Sequence, residues 1–196
     1  MPGTSPRLLF FAGSARDGSH NKRLAQLGER IADANGIAAT LADLGDYPMP
    51  LYNGDDEERS GPPDNARKLE ALLRVHTGVF IACPEYNASI TPLLKNTLDW
   101  ISRIRTPDGQ KTDVYKTRVF ALGSASQGGM GGLRALNAVR PVLELGLGAL
   151  VLPDQFAVPR AHEAYDDHGH LKNKDAQESF KALIQKLARA AHVLHG

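Results

Sequence analysis

The chain has 196 residues, and its 23 basic and 22 acidic side chains leave a formal net charge of +1 at pH 7. This length predicts a single domain, residues 1–196, with a substantial core, and the near-neutral charge favours small-molecule partners over nucleic acid or a membrane surface. Cys83 is the only cysteine, which excludes an internal disulfide or a four-thiolate metal site and fits the cytoplasm.

Short apolar runs alternate with helical patterns along the chain, beginning with Arg7–Ala12. This first run is too short for a secretory leader or for the roughly 20 apolar residues of a membrane span, so we predict a strand there. The other predicted strands are Ile37–Ala42, Gly78–Cys83, Arg118–Gly123 and Ala149–Leu152. Alternation of strands and helices predicts a parallel sheet with helices on both faces.

Five helices are expected between and after these strands. The first ends at the stop signal Asn35-Gly36, and the third begins after Thr91, an N-cap residue followed by proline. The second starts near Asp64, the fourth near Gly132 with Pro141 kinking or splitting it, and the last near Asp175. Their predicted inward residues are Leu24, Leu27, Ile31, Ala32, Ala66, Leu69, Leu72, Leu73, Leu94, Leu98, Trp100, Ile101, Phe180, Leu183, Ile184, Leu187 and Leu194.

Two connections, Gly45–Pro63 and Thr106–Lys116, are long and polar, and we predict loops for both, which either carry function or are solvated surface excursions. Five strands with a polar loop after the first favour the flavodoxin-like order 2-1-3-4-5, an α/β three-layer sandwich. In this order strands 1, 3 and 4 are neighbours, so the loops that follow them meet at one edge of the sheet.

The loop after the first strand reads GSARDGSHN at residues 13–21 and runs into the first helix. Hydroxyl groups, a guanidinium and backbone amides meet there at a helix N-terminus, which favours an anion such as a terminal phosphate. A simple capping role for Ser19 is the alternative, but it leaves Ser14, Arg16 and Asn21 without a function. The chain has neither a Walker A sequence nor a strand–GxGxxG–helix fingerprint.

The loop after the third strand begins Pro84-Glu85-Tyr86-Asn87, at the strand end where open α/β sheets bind ligands. Here we expect amide hydrogen bonds to a heterocycle, a Tyr86 ring that lies against a flat ligand or packs at a subunit edge, and a polar contact from Asn87. The alternatives are ordinary packing for Tyr86 and a left-handed turn at Asn87.

The loop after the fourth strand reads SASQGGMGG at residues 124–132. Its glycines permit positive φ angles and a close approach of the backbone to a planar ligand. A flexible hinge without a ligand is the alternative.

Three stretches in this order resemble the NADPH-dependent FMN reductases of flavodoxin-like fold, a family that includes bacterial quinone, chromate and azo-dye reductases. They are GSARDGSHN at 13–21, PEYNASITPLLKNTLDW at 84–100 and ASQGGMGGLR at 125–134, and PLYN at 50–53 is also similar. The resemblance spans most of the chain. It departs from the family at Gln127, where many relatives have proline or threonine, which changes the contacts expected of the third loop.

The resemblance implies FMN as cofactor, NADPH or NADH as cosubstrate, and quinone-like or other small electron acceptors. By the same resemblance Ser14, Arg16, Ser19 and Asn21 hold the FMN phosphate, Pro84, Glu85, Tyr86 and Asn87 line the isoalloxazine, and Ser126 and Gly128 approach the flavin. No residue receives a catalytic role, since the cofactor carries the chemistry. Relatives form homodimers or homotetramers, and Tyr86 with the helix after Ser89 could contribute to such an interface.

Three other readings remain open. A flavodoxin-type electron carrier shares the fold and cofactor but is usually more acidic. A serine hydrolase would use Ser126 on a degenerate nucleophile elbow, with Asp154 and His162 or His168 in the right chain order, yet it leaves the other two loops unexplained. A metal site would use His162, His168 and His170, but their loose spacing in a turn-like segment predicts no metal.

Overall fold

The computed structural model describes residues 5–195. Hydrogen bonding orders the five strands β2-β1-β3-β4-β5, all parallel, which confirms the predicted order 2-1-3-4-5. The strands are β1 Arg7–Ala12, β2 Ala38–Ala42, β3 Gly78–Ala82, β4 Val119–Ala125 and β5 Leu150–Val158. The helices are α1 His20–Ala34, α2 Gly54–Ser60, α3 Asp64–Val75, α4 Pro92–Ser102, α5 Leu133–Pro141 and α6 Lys174–His195.

Helices cover both faces of the sheet, as predicted. Side chains alternate along each strand, so Phe10 and Phe80 face α1 and α6, while Val79 and Phe120 face α3, α4 and α5. The ring of Phe80 lies 5.9 Å from that of Phe10 and 5.4 Å from that of Phe180 in α6. Both faces of β3 and β4 are therefore buried, which is why their sequences are continuous apolar runs.

The prediction that Gly45–Pro63 is entirely a loop is wrong, because α2 lies within it. The helix has no buried residue, so it lacks the apolar periodicity by which helices are recognised. Its signals are those of its ends: Asn53 caps it, three acidic residues fill its first turn, and Gly61 ends it with φ of 69°. Tertiary contacts hold it in place, since Glu57 pairs with Arg103 at 2.8 Å.

Two further details differ from the sequence expectations, and the interruption of the helix at Pro141 agrees with them. β5 continues six residues beyond the predicted end at Leu152, because an edge strand tolerates Pro153 and the register shifts between Phe120 and Leu122. Pro141 stands at the end of α5 and a single π-helical turn follows it. Leu194, predicted to face inward, is 46% exposed in the last turn of α6, where the helix extends beyond the sheet face that it covers.

His76 is a buried histidine between α3 and β3. Its Nδ1 lies 2.6 Å from the carbonyl of Leu72 and its Nε2 lies 2.8 Å from the hydroxyl of Thr40, so the neutral ring is satisfied at both nitrogens. Burial lowers its pKa below the ordinary 6.5, and the nearby guanidinium groups of Arg7 and Arg118 add to this. The native state therefore binds fewer protons here than the unfolded state when the pH falls below about 6.5.

We expect the free energy of unfolding to decrease as the pH falls from 7.5 to 5.5, since the unfolded chain takes up the proton first. In His76→Gln this dependence should be shallower, whatever the stability of the variant at pH 7.5. Urea unfolding at several pH values measures the slope, and His168→Gln, which removes an exposed histidine from a turn, serves as the matched control. A wild-type slope in His76→Gln would contradict the assignment.

Candidate functional site

The loops after β1, β3 and β4 meet at the carboxyl edge of the sheet and enclose a cleft of about 290 Å³. This volume is close to the lower end of the roughly 300–1,000 Å³ that is usual for ligand pockets. The residues that line the cleft are Ser14, Arg16, Ser19, His20, Asn21, Pro84, Glu85, Tyr86, Ala125, Ser126 and Gln127. Eight of the ten predicted site residues are among them, and Asn87 and Gly128 are not.

The first loop presents a helix N-terminus and a free cation to the cleft. Ser19 caps α1 by accepting a hydrogen bond from the amide of Lys22, and its side chain is buried. The Ser14 hydroxyl accepts from the amide of Arg16 at 3.3 Å, which shapes the turn. Within residues 5–195 the exposed Arg16 guanidinium makes one hydrogen bond, of 3.4 Å to the carbonyl of Gly18, so it is available to an anion.

Asn21 lines the cleft but already has two strong partners. Its amide nitrogen donates to the carbonyl of Ala125 at 2.8 Å, and its oxygen accepts from the amide of Ala125 at 3.0 Å. The side chain thus joins α1 to the end of β4 and is 4% exposed. This arrangement makes Asn21 a residue that positions the loops, which the sequence did not predict.

Two similar hydrogen bonds complete a closed set of links between the three loops. The Thr91 hydroxyl donates to the carbonyl of Gly13 at 2.6 Å, joining the third-strand loop to the first. The Ser124 hydroxyl donates to the carbonyl of Cys83 at 2.6 Å, joining β4 to β3. All three side chains are buried, so water does not compete for these bonds and the cleft keeps its shape without a ligand.

Thr91→Val tests one of these links with a nearly isosteric change. It removes the bond to Gly13 and also the cap on the amide of Leu94 at 3.2 Å. We expect a loss of about 1–3 kcal/mol in the free energy of unfolding, since buried partners are left unsatisfied. Thr91→Ser keeps the hydroxyl and should retain most of the stability in urea unfolding. Equal stability of the two variants would contradict a role for the hydroxyl.

Lys22, which does not line the cleft, also holds the first loop. Its ammonium donates to the carbonyl of Ala15 at 3.1 Å and pairs with the carboxylate of Asp43 at 2.6 Å. The other oxygen of Asp43 accepts from the amide of Gly45 at 2.9 Å. The loop is thus supported by the turn after β2 as well as by α1.

The second wall is a tight turn. Tyr86 and Ser89 exchange two backbone hydrogen bonds of 2.9 and 3.0 Å, and the two residues between them, Asn87 and Ala88, have φ of 49° and 66°. Two positive φ angles in succession are typical of a type I′ turn. Asn87 therefore forms the turn at the exposed tip and does not line the cleft, whereas the Tyr86 ring, 55% exposed, stands at its rim.

Glu85 is paired with Arg134 at the start of α5. One carboxylate oxygen accepts from the Arg134 guanidinium and the other from the Arg134 amide at 3.2 Å. The carboxylate is 8% exposed and lies where the helix dipole favours negative charge. Glu85 is the only acidic residue that lines the cleft, and this partner balances its charge.

The third wall is the glycine-rich loop after β4. The Ser126 hydroxyl accepts from the amide of Gly128 at 3.3 Å. Gly131 and Gly132 have φ of 61° and 88°, and a Cβ on Gly132 would lie 1.8 Å from the Ser124 hydroxyl oxygen. This part of the loop therefore has a fixed, tightly packed conformation that only glycine fits.

The residues that a serine hydrolase or a metal site would need are not brought together within residues 5–195. Asp154 pairs with Lys186 on α6, and the recorded hydrogen bonds of Ser126 include no histidine or Asp154. The Asp166 carboxylate accepts the amides of His168 and His170, which makes this segment a turn, and no group of three metal-ligating side chains converges. Cys83 is fully buried, and burial raises the pKa of its thiol.

Sequence reasoning missed His20 and did not assign a role to Gln127, and both line the cleft. His20 stands inside the stretch GSARDGSHN, at the first residue of α1, so its position next to the N-cap was a usable signal.

Among the described residues, no helix is long and apolar enough to cross a membrane.

Comparisons with known proteins agree with this arrangement. The protein named "Probable NADPH:quinone oxidoreductase 2" from Oryza sativa subsp. japonica is 33% identical, over 98% of this chain and 94% of its own length. A quinone reductase from Pseudomonas putida is 31% identical, over 90% of this chain and 89% of its own. The flavoenzyme NAD(P)H:(acceptor) oxidoreductase FerB from Paracoccus denitrificans shares the fold, with a TM-score of 0.78, 22% identity and coverage of 97% and 99%.

The match to a family model covers residues 6–163, which include all three loops of the cleft and all five strands in full. The family is described as NADPH-dependent FMN reductase. The fold, the curated relatives and the family match agree with one another and with the prediction from the sequence. This chain belongs to the NADPH-dependent FMN reductase family.

Proposed function

We propose that this protein is an FMN-dependent NAD(P)H oxidoreductase that transfers hydride equivalents from NADPH or NADH to quinone-like or other small electron acceptors. The observation that carries the proposal is the cleft of three cross-linked loops, with a helix N-terminus and Arg16 at one end. Family membership and relatives named quinone reductase support it. We further propose a single cytoplasmic domain that acts as a homodimer or homotetramer.

The residues of the cleft fit a flavin mononucleotide. Its anionic end requires donors and positive charge, which Arg16, Ser14 and the first amides of α1 offer. Its broad ring requires a flat, open wall, which Pro84, Tyr86 and Ala125 offer in the lining of the cleft. The Nδ1 atom of His20, buried without a hydrogen-bond partner, also marks this end as built for a polar ligand.

When bound, FMN supplies the hydride chemistry. The protein binds and orients FMN and neutralises its negative charge. Arg16, Ser14 and Ser19 would hold the phosphate, while Asn21 keeps the wall at Ala125 in register. Pro84, Glu85 and Tyr86 would flank the isoalloxazine, with Glu85 fixed by Arg134, and Ser126 would approach it from the third loop.

Two of the predicted contacts take a different form in this proposal. Asn87 occupies the tip of the turn, so it would support Tyr86 rather than contact the ring. Gly128 donates its amide to Ser126, so it would shape the loop that carries Ser126. Both roles are positional.

An electron carrier of flavodoxin type is the second candidate, because it would use the same fold and cofactor. The balanced charge of +1 favours the enzyme, since such carriers are usually acidic. Oxidation of NADPH or NADH by the purified protein, with and without added FMN and a quinone, separates the two. We expect quinone-dependent turnover with parallel double-reciprocal lines. Intersecting lines would contradict successive half-reactions, and no oxidation of either nucleotide would favour the carrier.

A further inference from the structure

Glu85 and Arg134 form an ion pair between two walls of the cleft. Glu85 belongs to the loop after β3 and lines the cleft, and Arg134 is the second residue of α5, just after the glycine-rich loop. One Glu85 carboxylate oxygen accepts from the Arg134 guanidinium, and the other accepts from the Arg134 amide at 3.2 Å. The N-cap of α5 is Gly132, which has no side chain to cap the helix, so Glu85 caps it from a neighbouring loop.

The two partners of this pair are buried to very different extents. The Glu85 side chain is 8% exposed, whereas the Arg134 side chain is 57% exposed. An exposed arginine stays hydrated without a partner, so the nearly buried carboxylate is the group that depends on the pair. Among residues 5–195, Glu85 is the only acidic residue that lines the cleft, and the cation Arg16 lies on a different wall, in the loop after β1. Glu85 thus supplies the negative charge of the site, and Arg134 offsets it.

We propose that this ion pair sets the reduction potential of FMN in the cleft, with Arg134 as a positioning residue that acts through Glu85. The inference rests on the proposed function, because it concerns the electrostatics of the same site. A hydride consists of one proton and two electrons. A flavin ring that accepts a hydride therefore gains one negative charge, and the nicotinamide that gives it up becomes a cation. A carboxylate near the ring opposes this gain, and a guanidinium favours it.

This effect does not require either side chain to touch the ring. The Coulomb energy of two charges falls only as the inverse of their distance, and screening is weak where the protein excludes water. The cleft measures about 290 Å³, so a ring bound in it lies close to all three walls. While both partners are present, their opposite charges largely cancel at the ring. When one partner is removed, the charge of the other acts alone.

Three variants separate the two charges. Glu85→Gln and Arg134→Gln each remove one charge, and the double variant removes both. In Arg134→Gln the hydrogen bond from the amide of residue 134 remains, because this amide belongs to the backbone, so the carboxylate keeps its place without its cation. Asp56→Asn and Arg59→Gln are the matched controls, since they remove the same charges from an exposed ion pair on α2, which does not line the cleft.

The reduction potential of bound FMN is measured spectroscopically, by gradual chemical reduction of the full chain beside a reference dye. Relative to free FMN, this potential gives the ratio of the dissociation constants of oxidised and reduced FMN. The measurement is made at pH 8.5, well above the usual range of a carboxyl pKa, so that Glu85 remains ionised without its partner. No pyridine nucleotide or acceptor is present, so the result is independent of activity. Fluorescence titration gives the affinity for oxidised FMN in the same buffer.

We expect Glu85→Gln to raise the potential and Arg134→Gln to lower it, each by roughly tenfold in the ratio of dissociation constants, which is about 30 mV for a two-electron couple. The double variant and both controls should stay near wild type. Shifts of the same sign in the two single variants, no shift in either, or loss of FMN binding in both would overturn the proposal. A pair that only fastens the two loops together would loosen the site in the same way whichever partner was lost. A wild-type protein that does not bind FMN would instead contradict the proposed function itself.

Discussion

Gly132→Ala is expected to destabilise the protein by about 2–5 kcal/mol, the sum of a left-handed backbone cost and an overpacking cost. Gly132 has φ of 88°, and an added Cβ would lie 1.8 Å from the Ser124 hydroxyl oxygen and 2.9 Å from its Cβ. Ser124 cannot yield easily, because it is fully buried and its hydroxyl is bonded to the carbonyl of Cys83. The substitution is therefore expected to disturb the hydrogen bond from Ser124 to Cys83 that links β4 to β3.

Two further variants separate the two costs in urea unfolding. Ser124→Gly removes both clashing atoms but also the bond to the Cys83 carbonyl, so the double variant is compared with Ser124→Gly alone, and this difference should contain only the backbone part. Gly129→Ala lies in the same loop, where an added Cβ meets no atom within 4 Å, and should change stability by less than about 1 kcal/mol. A Gly132→Ala protein as stable as wild type would show that this loop is a flexible hinge.

Arg16→Ala is expected to weaken FMN binding by roughly 1.5–3 kcal/mol, the usual value of a hydrogen bond to a charged group. This corresponds to roughly 10- to 150-fold in Kd. The side chain is exposed, and in the described part of the chain its guanidinium makes one hydrogen bond, of 3.4 Å to the carbonyl of Gly18, so its removal should cost little stability. The loss is therefore a loss of ligand contact and not of folding.

Flavin fluorescence titration measures this change, with Arg59→Ala on the exposed helix α2 as the control for overall charge. Arg16→Lys keeps the charge but not the forked geometry, and should fall between wild type and alanine. If Arg16→Ala bound FMN as tightly as wild type, Arg16 would not belong to the phosphate end of the site.

The centre of the sheet was predictable because β1, β3 and β4 are buried on both faces. β1 begins and ends where its apolar run does, and β3 and β4 differ from theirs by at most two residues. α2 was not predictable from periodicity, since it buries no side chain and depends on Glu57 and Arg103, which are 46 residues apart. The end of β5 was not predictable because this strand lies at the edge of the sheet, where it is partly exposed and carries polar residues and a proline in place of a continuous apolar run.

The location of the cleft could be predicted from the sequence, but the contacts that individual side chains make there could not. The strand order alone brings three polar loops to one edge. The link from Thr91 to Gly13 joins residues 78 positions apart, and that from Asn21 to Ala125 joins residues 104 apart. No local sequence pattern encodes bonds between residues so far apart. The sequence therefore predicted that Asn21 contacts the ligand, although its side-chain amide is hydrogen-bonded to the end of β4.

The central claim is that FMN binds between the loops after β1, β3 and β4. Hydrogen–deuterium exchange with and without saturating FMN locates the ligand without reference to activity. We predict slower exchange in peptides that cover residues 13–21, 84–89 and 125–132, and unchanged exchange in α2 and in residues 163–176, which line part of a separate cavity of about 350 Å³. Protection confined to that cavity, or no protection at the three loops, would contradict the account.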